Sequence, residues 1–151
     1  MQSMQAQLES LAGEIDPDRF SAIVRDASER DLAELLASEH RGRILDEIFE
    51  RMPERLKAEK TRGMRAVIHW RIGDRPEGGD DLYEVVVDDG TCRVNRTASA
   101  APGVTLKIRP ESFLRLIAGS TTGVKLLLRR RLSVEGDMTL AMRIESLFER
   151  G

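Results

Sequence analysis

The chain has 151 residues, 33% of them charged and 40% hydrophobic, with a formal net charge of −2. That is enough for one domain with one core, and no apolar run approaches the roughly 20 residues of a membrane-spanning helix. A single cysteine, Cys92, excludes an internal disulfide and a cysteine-rich zinc site.

The start, "MQSMQAQLESL", has neither the basic stretch nor the apolar run of a secretory signal, so a cytoplasmic protein is expected. Met1, Met4, Leu8, Leu11 and Ile15 follow the a/d rhythm of a short coiled-coil seam. Two heptads are too short to stand alone, so this segment packs on its own domain, pairs with a second copy into a homodimer, or frays. Pro17 sits where a helix begins, with Phe20, Ile23, Val24 and Ala27 on one side. Ser28 and Asp31 resemble a capping box ahead of Leu32, Leu35 and Leu36. Ile44, Leu45, Ile48 and Phe49 repeat the helical stripe until Pro53 breaks it.

After "KAEKTRG" the period changes from helix to strand. Residues 64–72 alternate, with Met64, Ala66, Ile68, Trp70 and Ile72 on one side and Arg65, Val67, His69 and Arg71 on the other. Tyr83, Val85 and Val87 continue the apolar side in a second strand. Asp89-Gly90 is a two-residue hairpin signal leading to a third, with Cys92 and Val94 facing in. A flexible "TASAAPG" precedes a fourth strand carrying Val104, Leu106 and Ile108. Two short helices, "PESFLRLIAG" and "GVKLLLRR", come next. A fifth strand with Leu132 and Val134 leads, through the N-cap Asp137, into a closing helix. The expected fold is α+β: one mostly antiparallel five-stranded sheet, wet on one face and covered by helices on the other.

The closing helix has more apolar surface than a sheet needs, because Met138 and Met142 widen its stripe beyond the ~100° that suffices. Charge is also uneven. Residues 1–60 carry nine Lys/Arg against fourteen Asp/Glu, whereas residues 91–151 carry eleven against five. Lys125, Arg129, Arg130 and Arg131 make a cationic patch suited to an anionic head group or membrane surface. Nucleic acid is not expected, since aromatics are only 4% and no stacking platform is visible. Nothing assembles an enzyme. His40 and His69 read as surface residues without a metal or nucleophile pattern, and Cys92 reads as a small buried hydrophobe. Neither cofactor nor metal is expected. A small hydrolase using His69 is set aside.

Residues 44 to 149 resemble the sterol carrier protein domain, the type-2 non-specific lipid-transfer family. The resemblance is carried, in order, by "ILDEIFERMPERL", "AVIHWRI", "YEVVVDDGTCRV", "APGVTLKIRPESFLRLIAGSTTG" and "LSVEGDMTLAMRIESLF". It implies a hydrophobic tunnel between sheet and helices that binds sterol, fatty acid or fatty acyl-CoA without catalysis. Residues 1–40 then form a helical extension like that of some bacterial members, and 41–151 the lipid-binding domain. The tunnel is expected to be lined by Ile68, Trp70, Val85, Val87, Leu106, Ile108, Phe113, Ile117, Leu127, Met138 and Met142. Lys125, Arg129, Arg130 and Arg131 are expected at head group or membrane. Where the family often has Gly-Lys before the fifth strand, this chain has Arg130-Arg131, which keeps the charge and removes the glycine. The rival expectation is a protein interaction module with a closed core, dimerising through its N-terminal helices.

Overall fold

The caps and breaks read from the sequence fall where the chain turns in a computed structural model that describes residues 17–148. The heptad seam of Met1 to Ile15 lies outside the described residues. Helix α1 (Pro17–Asp26) is followed by α2 (Glu29–Leu35), where Ser28 Oγ accepts the Asp31 N–H at 3.0 Å. Helix α3 (Arg41–Arg51) runs into a single 3₁₀ turn (Met52–Arg55) at Pro53, then the one-turn α4 (Ala58–Thr61). Strands β1 (Arg65–Ile72), β2 (Asp81–Asp88) and β3 (Thr91–Asn95) form a meander. Its second turn has φ of 46° at Asp89 and 82° at Gly90, the doubly left-handed pair that Asp-Gly favours. After β4 (Val104–Ile108) come α5 (Pro110–Ile117), α6 (Gly123–Leu128), β5 (Leu132–Gly136) and α7 (Met138–Leu147).

The five strands lie in the order β3-β2-β1-β4-β5. All neighbours are antiparallel except β1 and β4, which run parallel. Gly136, which ends β5, has φ of 100°, and a Cβ there would stand 2.5 Å from the Gly103 carbonyl oxygen. Only glycine allows that approach and the turn into the Asp137 cap. Among the described residues no helix is long and apolar enough to cross a membrane.

The inner face of the sheet and the helices share one hydrophobic cluster, which extends from Phe20 on α1 to Ile144 on α7. Helices α1 and α2 pack on α5, and Arg115 Nη2 donates to the Ala27 carbonyl at 2.8 Å. Arg41, 5% exposed, joins this helical part to the sheet. Its guanidinium donates to the carbonyls of Leu36, Ile72, Gly73 and Asp74 and to the Asp81 carboxylate.

The outer face departs from the alternation. His69 and Glu84 are cross-strand neighbours and both are buried, where charged positions in alternation predict a wet surface. The segment "TASAAPG", expected to be flexible, crosses over them. Glu84 accepts from the N–H groups of Ser99 and Ala100, the Ser99 hydroxyl, Asn95 Nδ2 and His69 Nε2. Burial pushes the Glu84 carboxyl up, and the donors from Ser99, Asn95 and His69 outweigh it, holding the group well below the usual carboxylate range.

Candidate functional site

The row Tyr83–Trp70–Leu106–Val134 crosses β2, β1, β4 and β5 in register on the inner face. Its two halves are filled differently. Over the first half, Phe49 of α3 stacks on Tyr83 with centroids 4.0 Å apart, and on Phe113 of α5 at 5.2 Å. Trp70 meets Phe49 and Phe113 edge-on. Burial pushes the Tyr83 phenol up, helped by its hydrogen bond to Asp46. Four of the six large rings of this chain thus pack together in the middle of the layer and close it.

Over the second half, α6 and α7 leave an open apolar cleft of about 50 Å3. Trp70, Leu106 and Val134 form its floor with Leu132. Leu116, Val124 and Leu127 stand on one side, and Met138, Ala141, Met142 and Ile144 on the other. Of the ring cluster only Trp70 lines this cleft, so the cleft stops where Phe49, Tyr83 and Phe113 begin. The space is well below the roughly 300–1,000 Å3 of a typical ligand pocket.

Of the residues expected to line a tunnel, Trp70, Leu106, Leu127, Met138 and Met142 line the cleft. Ile68, Val85, Val87, Ile108 and Phe113 are fully buried in the core, and Ile117 packs against it. The cleft also takes in Leu116, Gly123, Val124, Leu132, Val134, Ala141, Ile144 and Glu145. The strand alternation had already turned Leu132 and Val134 inward; what periodicity does not give is which helix lies above which strand.

A polar tie crosses the cleft. The Glu145 carboxylate accepts the N–H of Gly123, at the start of α6, and a side chain at position 123 would collide with it. Thr122 caps the same helix by accepting the Lys125 N–H. Helix α7 is fixed at both ends: Asp137 N–H donates to the Gly103 carbonyl, and Lys57 N–H to the Leu147 carbonyl. Helix α6 buries one side chain fully, Leu126, against two, Ile144 and Leu147, on α7.

The cations follow α6. Lys125, Arg129 and Arg130 are exposed, whereas Arg131 is half-buried and pairs with Glu29 of α2, with Glu111 3.9 Å away. The end of α6 is a Schellman turn: Arg131 N–H donates to the Leu126 carbonyl and Arg130 N–H to that of Leu127. Arg130 therefore occupies the left-handed position, at φ 59°, that ordinarily favours glycine. Replacing it, Arg130→Gly, is expected to stabilise the fold by roughly 0.5–1 kcal/mol, read as a shift of the urea midpoint at unchanged slope. A loss of stability would show that the Arg130 side chain has a structural role.

The other candidates for chemistry stay apart. His69 is spent on Glu84, and Cys92 is half-buried, its thiol pushed up to about 11 by burial. Among the described residues no cluster of His, Cys, Asp or Glu is placed to hold a metal.

Similar architectures occur in solved structures. The sterol carrier protein 2 like 2 of Aedes aegypti is 20% identical, with a TM-score of 0.55 over 70% of this chain and 93% of its own. Sterol carrier protein 2 from Yarrowia lipolytica is 18% identical, with a TM-score of 0.53 over 69% of this chain and 85% of its own. The inverting sec-alkylsulfatase Pisa1 from Pseudomonas sp. is 12% identical, with a TM-score of 0.61. It matches 98% of this chain, which spans only 27% of that enzyme. No curated protein matches the chain in sequence. At the level of family, the description that matches residues 45–149 is the SCP-2 sterol transfer family, and with that span and this fold the chain belongs to it.

Proposed function

We propose that the protein binds a hydrophobic ligand (a sterol, a fatty acid or a fatty acyl-CoA) at the cleft between α6 and α7, and carries it without catalysing a reaction on it. We place it in the cytoplasm. The observation that supports this reading is an apolar cleft over Trp70, Leu106 and Val134, opening between two helices, of which α6 buries only Leu126. An acyl chain needs more room than about 50 Å3. Held open with nothing in it, an apolar space of 300 Å3 would cost on the order of 7 kcal/mol, comparable with the stability of a whole domain. Widening therefore belongs to the binding step, in which contacts with the guest replace those given up. In this reading the wall that gives is α6. The methionines of α7 adapt, since a thioether side chain refills irregular space at small cost. Lys125, Arg129 and Arg130, exposed beside the opening, meet the anionic end of the ligand.

Ala141→Phe tests this by filling the cleft from the α7 side. The variant is expected to bind a fluorescent fatty acid at least about tenfold more weakly, with a melting temperature no lower than that of the parent. Native mass spectrometry of the purified protein should find lipid retained by the parent and lost from Ala141→Phe. Unchanged affinity in a folded variant would place the ligand elsewhere or remove it altogether.

A further inference from the structure

Among the described residues the exposed large hydrophobic side chains are Val124 (47%), Leu128 (79%), Met138 (47%) and Met142 (57%). All four stand on α6 and α7. Val124, Met138 and Met142 rim the cleft, and Leu128 projects from the last turn of α6. Lys125 on α6, Arg129 and Arg130 in the turn that ends it and Arg143 on α7 are exposed around them, and none has an ion-pair partner among the described residues. The acids of this face are committed. Asp137 caps α7, Glu145 accepts from Gly123, and Glu135 lies 3.7 Å from Lys107. Arg130 keeps its charge here in a backbone conformation that glycine would hold more easily.

We propose that this face docks on an anionic lipid leaflet. Leu128, Val124, Met138 and Met142 enter the head-group boundary, while Lys125, Arg129, Arg130 and Arg143 extend along it to phosphate and carboxylate groups. Such attachment takes two signals, apolar side chains that partition and cations on long stems, and both are present on one edge. A second copy of the chain is the poorer occupant, since a two-fold pairing would bring Lys125, Arg129 and Arg130 towards the same cations of the other copy. The proposal rests on the carrier reading of the cleft, whose mouth would then face the source of its ligand.

Flotation of the full chain on vesicles of phosphatidylcholine alone, or mixed with phosphatidylglycerol, tests the docking. Binding of a fluorescent fatty acid without vesicles, run alongside, tests the carrier reading. The parent is expected to float with the mixed vesicles, less so at high salt, and not with the neutral ones. Leu128→Asp, and the triple variant Lys125→Gln/Arg129→Gln/Arg130→Gln, should each lower this partition by about tenfold or more. Leu128 lies outside the cleft lining, so Leu128→Asp should bind fatty acid as the parent does. A parent that binds fatty acid but does not float, variants that float as well as the parent, or a concentration-dependent dimer abolished by Leu128→Asp would each overturn the docking. Salt-sensitive flotation lost in both variants, without fatty-acid binding in solution, would keep the docking and overturn the carrier reading.

Discussion

Arg41→Ala is expected to lower the melting temperature by about 10 °C or more, corresponding to roughly 3–5 kcal/mol of lost stability. The guanidinium is 5% exposed and donates to four backbone carbonyls and one carboxylate. Two of those bonds, to Ile72 and Gly73, are 2.8 Å long and sit where β1 ends. Removing the donors leaves these carbonyls without partners in a buried place, and that desolvation cost dominates the effect. The carboxylate is better placed to survive, because Arg75 and Arg96 lie 3.7 and 3.6 Å from Asp81. Arg41→Lys should recover only part of the loss, since an ammonium offers three donors without the planar fork. Urea unfolding of both variants checks the prediction, and a lysine variant as stable as the parent would show that charge alone suffices. The same experiment tests whether the helices of residues 17–36 unfold with the sheet, as their shared hydrophobic cluster requires.

The second large effect is expected at Glu84. Its carboxylate, 0% exposed, accepts from Ser99, Asn95, Ala100 and His69, so it joins β1, β2 and β3 to the segment after β3. Glu84→Gln exchanges one acceptor for a donor facing other donors and should cost about 2–3 kcal/mol at neutral pH. That corresponds to a fall of roughly 4–12 °C in melting temperature. The pH dependence has a definite sign. Because the folded carboxyl is held below its ordinary value, its contribution is complete above the unfolded range near pH ~4.3 and is lost as pH falls towards the folded value. The parent should therefore lose more stability than Glu84→Gln between pH 7 and pH 3, and the two should converge at the acid end. Parallel acid profiles would remove Glu84 from this role.

The elements themselves were legible because local chemistry and global fold agree. Ser28 and Asp137 cap helices, Asp89-Gly90 turns a hairpin, and alternation sends Trp70, Tyr83 and Leu106 to one face. Met138 and Met142 were legible as an excess, since one helix on a sheet did not need them. The division of the inner face was not. Phe49, Trp70, Tyr83 and Phe113 come from four separate elements, and nothing in their spacing says that they stack together and close the middle of the layer. The buried pair on the other face was hidden for the opposite reason. His69 and Glu84 sit at positions that a wet strand would give to polar residues, and only the long-range placement of Ser99 and Ala100 takes them out of water.

The parallel pairing of β1 with β4 has a kinetic consequence. Strands β1 to β3 are joined as neighbours along the chain, so they meet after short loop closures. Strand β4 must instead return past two strands to reach β1, and β5 attaches only through β4. The late, long-range half of the sheet is also the half beneath α6 and α7. Sub-global opening, as amide hydrogen exchange would register it, can release β5 and its two helices while the meander stays intact. A protein that must admit a bulky guest would thereby have its doorway in the part of the fold that is cheapest to disturb.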